Sequence, residues 1–238
     1  MIDVTLLLDA DSLIWAACYD KETSDWYTKE SQVRDKYDNN LARIISEIGA
    51  FVNVADLITF NGSRGNFRKL IGSNNTYKAN REQSRLPLLL NEGHRYLKDH
   101  YNGVAGYGVE TDDMVARKWN ELRKENGRDS VMIVSIDKDY RQLPCLLYNY
   151  HWNSRSFSDI TESEARYNFY AQMICGDQAD NVNFLMGKGP VFSKKYLMGC
   201  ETEYQYIKRV FLLFQRRYKS KAREKFIECY NLLRLRTD

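Results

Sequence analysis

The chain has 238 residues, 43% of them hydrophobic, with 35 basic and 32 acidic side chains for a formal net charge of +3. That is enough apolar material for a real core: one α/β domain, with or without a small helical appendage. No stretch approaches the ~20 apolar residues of a membrane span, and the amino-terminal "MIDVTLLLDADSLIW" carries acids and no basic leader, unlike a signal peptide. The small net charge does not announce a nucleic-acid partner, but an acidic centre would cancel basic surfaces in the sum. Five scattered cysteines without metal-like spacing fit reduced thiols, hence a soluble, cytoplasmic protein.

In chain order, Val4 to Leu8 is an apolar run ending at Asp9, a buried parallel-strand candidate. Ser31 to Val54 carries apolar residues at helical spacing. Leu57 to Phe60 is a second strand, broken by "NGSRG", and residues 61–85 form a basic loop. Leu86 to Tyr101 reads as a helix. A short third strand lies in "YNGVAGYGVE", and Thr111 is a candidate N-cap for a helix through Glu125 that Gly127 stops. Val131 to Ile136 is the clearest strand, and Leu146 to Tyr150 is another. Thr161, with Glu164 three residues on, has the capping-box pattern for a helix to about Cys175. A Gly-punctuated stretch follows, and Ser193 onward is helical and basic. The alternation predicts a parallel sheet with helices on both faces over 1–160, and a helical part over 161–238 packed with it as one unit.

Eight carboxylates fall into four tight clusters: Asp9; Glu110, Asp112 and Asp113; Asp137 and Asp139; Asp177 and Asp180. The first three follow or open strand-like segments, and acids at the carboxyl ends of parallel strands converge on one crevice. So many acids together repel, which calls for hard divalent cations with oxygen ligands, Mg²⁺ or Mn²⁺. Two such ions are the usual apparatus for in-line displacement at phosphorus. Singly, each cluster has a plain reading as caps, turns and solvated acids; Asp11 is a cap candidate too. Arg68, Lys78 and Arg81 around Tyr77 could offset phosphate charge and stack on a base, or form a solvated basic loop. The basic run "RRYKSKAREK" fits an exposed helix face or a DNA-backbone contact equally well.

Taken in order, "LLLDADSL", "FRKL…YKANR", "GVETDD", "SIDKDYRQL" and "CGDQADN…GKGP" resemble the 5′-nuclease (flap endonuclease) family, over roughly residues 3–198. The likeness is greatest to stand-alone bacteriophage 5′-exonucleases and the 5′-nuclease domain of bacterial DNA polymerase I. The resemblance implies a PIN-like α/β sheet with a helix–turn–helix that grips duplex DNA. It implies one metal on Asp9, Glu110 and Asp112. A second would sit on Asp137, Asp139, Asp177 and Asp180, with Asp113 nearby or bridging. It further implies Lys78 and Arg68 on the scissile phosphate, with catalytic weight on Asp9, Asp112, Asp137 and Asp139. Tyr77 would stack on the substrate end. Arg81, Gly187, Gly189, Lys194 and Lys195 would contact nucleic acid, with K⁺ at the helix–turn–helix. The expected substrate is DNA with 5′ ends, flaps or nicks, or an RNA–DNA hybrid, cut in replication or repair alongside a polymerase or single-strand-binding protein. The expected setting is a bacterial or phage-infected cytoplasm.

Two departures stand out. Asn61 occupies the end of the second strand, where the family carries an aspartate, so that ligand would lack its charge. Lys188 replaces an apolar residue in the "GKGP" turn, and the basic pair after it is displaced. Three rivals remain. A haloacid-dehalogenase-type phosphatase would use Asp9 as nucleophile, Asp11 as acid and Ser135, but needs "GDQAD" after a strand. A nuclease-attenuated DNA-binding protein is favoured by Asn61. A PIN-type ribonuclease is disfavoured by the long Gly-rich block.

Overall fold

Side chains alternate across an extended strand, so Val4–Leu8 can bury itself only between two apolar layers, and it does. The computed structural model describes residues 3–71, 77–81 and 85–238, excepting the side chains of Ser63, Arg64 and Arg81. The chain opens with β1 (Asp3–Asp9), α1 (Asp11–Cys18), a small hairpin of β2 (Tyr19–Asp20) and β3 (Asp25–Trp26), and α2 (Glu30–Gly49). Then come β4 (Asn53–Arg64), α3 (Leu90–Tyr101), β5 (Val104–Tyr107), α4 (Thr111–Asn126), β6 (Val131–Val134), β7 (Leu146–Asn149) and β8 (Ser156–Asp159). Four helices close the chain: α5 (Glu162–Cys175), α6 (Pro190–Leu197), α7 (Glu203–Tyr218) and α8 (Ala222–Leu233).

The six-stranded sheet has the order β5-β4-β1-β6-β7-β8. The first five strands are parallel, and β8 runs antiparallel to β7. Leu6, Leu8, Met132 and Val134 face α1, α2 and α3, packing with Ile14, Tyr37, Ile44 and Leu97. Leu7, Val131, Ile133 and Leu147 face the other way, against Val115, Ala116 and Trp119 of α4. A third apolar cluster joins α5–α8, with Tyr170, Phe214 and Cys229 at its centre. The chain goes from β1 outward to β4 and β5, then crosses back to β6, so the switch in strand order lies beside β1. Crevices at such a point, outside the carboxyl ends of the strands, are where α/β sheets bind ligands.

The expected α/β class holds, with changes at several boundaries. The helix expected to reach Val54 ends at Gly49, because β1 recruits Asn53 onward as a paired strand. The helix expected from Leu86 begins at Leu90. Thr111 is the first helical residue and Glu110 the N-cap of α4; the Thr111 hydroxyl donates to Asp11 at 2.8 Å instead. Asp11 likewise caps nothing: its other oxygen accepts from the Gly62 N–H at 2.6 Å. The capping box at Thr161 and Glu164 forms as its sequence pattern requires. All five cysteines are free. Among the described residues no helix is long and apolar enough to cross a membrane.

Two local features position the site. Gly176 ends α5 at φ +76°, and a Cβ there would stand 2.3 Å from the Val182 carbonyl oxygen. That close approach lets Asp177 and Val182 exchange backbone hydrogen bonds at 2.7 and 2.8 Å, making a tight turn. Gly176→Ala is expected to cost about 1–3 kcal/mol, from strained backbone plus the clash; equal urea midpoints for the two proteins would contradict this. The second feature is the chain after α8. Its backbone is tied to the core by Gln142 (to Leu233 O and from Leu235 N), Arg68 (to Arg234 O), Asp113 (from Arg236 N) and Asn120 (to Thr237 O), all at 2.7–2.9 Å.

Candidate metal centre

The acids arrive from separate elements. Asp9 is the last residue of β1. Glu110, Asp112 and Asp113 open α4, where carboxylates gain from the helix dipole. Asp137 and Asp139 follow β6, the Asp137 side chain accepting from the Asp139 N–H at 2.9 Å. Asp177 and Asp180 stand on the turn between α5 and α6. Asp9, Asp11, Glu110, Asp112, Asp137 and Lys78 line one cavity of about 470 Å³ at the carboxyl ends of the strands. Gln172 links two of the others, its amide donating to Asp139 at 2.8 Å and to Asp177 at 3.0 Å.

Electrostatics divide the cluster. Burial, then Asp11 and Asp137, pushes Asp9 up to about 7, against a hydrogen bond from the Tyr140 hydroxyl at 2.9 Å. Burial, then Asp137, Asp177 and Asp180, pushes Asp139 up to about 7. Burial with Glu110 and Asp113 raises Asp112, and burial with Asp180 and Asp177 raises Asp137. Burial also acts to raise Asp177, but the Lys138 ion pair at 2.8 Å outweighs it and lowers this carboxyl. Burial opposes the charge on Lys78, yet Glu110 and Asp180 raise it.

Protein cations hold several of the acids. Lys78 pairs with Glu110, and lies 3.6 Å from Asp180. Arg68 donates to both oxygens of Asp113, at 2.6 and 2.8 Å, and to Glu110 at 2.8 Å. Among the described residues no three carboxylates or imidazoles stand close enough together to enclose an ion. The donor set is nonetheless all oxygen, and destabilised by burial and by its own charge, as suits a hard divalent cation.

Several residues sit differently from expectation. Arg68 is 2% exposed with its guanidinium committed to Asp113, Glu110 and the Arg234 carbonyl, so it orients acids from behind rather than touching a phosphate. Tyr77 is 3% exposed and its hydroxyl lies between Glu110 (2.9 Å) and Asp180 (2.6 Å); it offers no open ring face for stacking. Asp113 is fully buried with both oxygens on Arg68, so it is turned away from any bridging position. Asn61 donates to the His94 carbonyl at 2.7 Å and lies outside the acidic cavity's lining. The Arg81 side chain lies outside the described residues. Gly187, Gly189, Lys194 and Lys195 are exposed on and before α6, and the Lys188 ammonium lies over the Phe192 ring at 4.4 Å.

Sequence reading missed Asp11 and His94 as pocket residues. Both line the cavity, the His94 Nε2 3.9 Å from Asp11. Asp11 stood in the sequence as a cap, or as the acid of the phosphatase alternative, and nothing in the sequence around His94 distinguishes it.

No family model matches the chain, and no curated protein sequence matches it. Solved structures do. A mutant bacteriophage T5 5′-exonuclease is similar over 99% of this chain and 89% of that one, with TM-score 0.64 and 14% identity. The bacteriophage T5 flap endonuclease in a pseudo-enzyme–product complex with DNA and metal ions is similar over 96% and 98%, with TM-score 0.59 and 14% identity. The T5 5′-exonuclease with bound zinc gives TM-score 0.57 at 16% identity, over 97% and 98%. At 14–16% identity the likeness is one of fold: this chain has the fold of the bacteriophage T5 5′-exonuclease, and resembles the 5′-nucleases in structure as it does in its motifs.

Proposed function

We propose that the protein is a divalent-metal-dependent 5′-nuclease that hydrolyses phosphodiester bonds in DNA or RNA–DNA hybrids carrying 5′ ends, flaps or nicks. The observation that carries this reading is the crevice beside β1, where acids from β1, α4 and the β6 end face one cavity, and burial with mutual repulsion raises Asp9, Asp112 and Asp137. Asp9, Glu110 and Asp112 would hold one Mg²⁺ or Mn²⁺. Asp137, Asp139, Asp177 and Asp180 would hold another. Such ions supply Lewis-acid activation of water and neutralise charge on the leaving oxygen.

The chain's own groups do the rest. Lys78 stands at the cavity wall with its ammonium among carboxylates, where it would offset charge on a substrate phosphate held beside them. Arg68 keeps Glu110 and Asp113 fixed beneath the site. Tyr140 and Ser135 hold one Asp9 oxygen, at 2.9 and 3.3 Å, and the other accepts only a long bond from the Asp11 N–H at 3.4 Å. The exposed Lys194 and Lys195 on α6 would meet the duplex backbone, and K⁺ at the α5–α6 turn belongs to the same reading. Placement of "GDQAD" after α5, not after a strand, counts against the phosphatase alternative.

The test incubates the protein with a 5′-labelled flap, a nicked duplex and an RNA–DNA hybrid, with Mg²⁺ or EDTA. Cutting should appear only with the metal and leave 5′-phosphate ends. Binding without cutting of any substrate would instead favour an attenuated, DNA-binding member of the fold, the reading that uncharged Asn61 supports.

A further inference from the structure

We infer that the groove between α3 and the edge strand β5 holds a single-stranded nucleic-acid segment as it leaves the acidic crevice. The inference rests on the nuclease reading above and extends it to a second binding surface.

The groove has a volume of about 970 Å³, in the upper part of the range that encloses ligands of nucleotide size and larger. It opens directly from the acidic cavity, because Gly62 and His94 line both. Its character is the reverse of the crevice's. Asn91, His94, Arg95 and Lys98 recur at helical spacing, so they form one stripe of α3, with Arg95 and Lys98 exposed. Asp99 is the acid in the lining, and Arg95 keeps a loose 3.6 Å contact with Glu30. Across from this stripe Tyr107, at the end of β5, is 88% exposed. An aromatic ring that open, beside two cations on a rigid helix, is the pairing that single-strand binders use: cations follow the backbone and the ring stacks on a base.

The floor adds an independent sign. Asn61 is 4% exposed and lines the groove; its amide NH₂ is fixed on the His94 carbonyl, and its Oδ1 has no hydrogen-bond partner among the described residues. The His94 Nε2 is likewise buried without a hydrogen bond there. Buried polar atoms of this kind find partners in a ligand or in water. A duplex is the wrong shape for the place: the groove is bounded by a helix on one side and a strand edge on the other, and among the described residues of its lining Tyr107 is the exposed aromatic ring. An unpaired strand can turn its bases toward Tyr107 and its phosphates toward Arg95 and Lys98.

The test measures fluorescence anisotropy of a short labelled oligothymidine strand with the whole chain in EDTA, so that cutting cannot interfere. Tyr107→Ala and the double change Arg95→Ala/Lys98→Ala should each weaken binding about tenfold, the scale of losing one stacked base or two backbone cations. Lys124→Ala, an exposed cation on α4 away from the groove, should leave binding unchanged. In Mg²⁺ the ratio of flap to flapless-nick cutting should fall in the groove variants. Unaltered single-strand binding in those variants would overturn the groove assignment, as would an equal loss in Lys124→Ala, which would reveal bulk charge alone. Failure of the unmodified protein to cut anything would overturn the nuclease reading instead, and the anisotropy result would still decide the groove.

Discussion

Arg68→Ala should destabilise the protein by about 3–5 kcal/mol, the cost of stranding a buried charge by removing its partner. Arg68 is the only cation whose guanidinium spans both oxygens of fully buried Asp113 among the described residues, and it also holds Glu110. Removing it leaves two carboxylates in a cluster already short of positive charge. Urea unfolding in EDTA should show the loss as a lower midpoint. A compensating pair, Arg68→Met with Asp113→Leu, should recover most of the stability, because replacing a buried ion pair by packed apolar groups is often neutral or better. Were Arg68 a phosphate contact, Arg68→Ala would fold like the unmodified protein and lose only cutting rate. An unchanged midpoint would therefore refute its place beneath the site.

Asp139→Asn should have opposite effects on stability and activity. The native Asp139 carboxyl is pushed up to about 7 from an ordinary value of 3.8, by burial and by Asp137, Asp177 and Asp180. Between those two pH values the native state binds more protons than the unfolded chain, so stability falls as pH rises through the window. Above the native value the cost is about 4 kcal/mol for this one group. Asparagine keeps the shape and can still accept from Gln172, but carries no charge. In the absence of metal the variant should melt about 10 °C higher at pH 8 and match the unmodified protein at pH 3, where both side chains are neutral. With Mg²⁺ it should lose cutting by about 10²–10³-fold, since one preorganised charge stabiliser is gone. A metal-free variant that melts lower at pH 8 would show that these acids do not repel as placed.

The two predictions also mark where sequence reading succeeds and where it stops. Asp9 and Asp137 were legible because the one ends and the other closely follows an apolar strand, and parallel strands put such ends on one side. Thr161 was legible because a capping box is local. Arg68 and Tyr77 were not. Their partners lie at Glu110, Asp113 and Asp180, and no local rule separates a buried arginine or tyrosine from one that waits for substrate. Strand β8 was missed because "SFSD" alternates weakly and gains its place only by pairing with β7. Asp11 looked like a cap by position, yet Gly62 and Thr111, remote in sequence, claim its oxygens.

The segment after α8 reaches the acids in an unusual currency. Arg68 and Asp113 meet it through the Arg234 carbonyl and the Arg236 N–H, and neither contact involves a side chain of the segment. The pair beneath the crevice therefore reads the path of the backbone, while the Arg236 and Arg234 side chains turn to other partners, the rings of Phe67 and of Tyr230 and Phe169. Proline at 236 would delete the one donor that Asp113 takes from the segment. A scan of side-chain substitutions alone would overlook this strap's role, although its backbone braces the floor of the site.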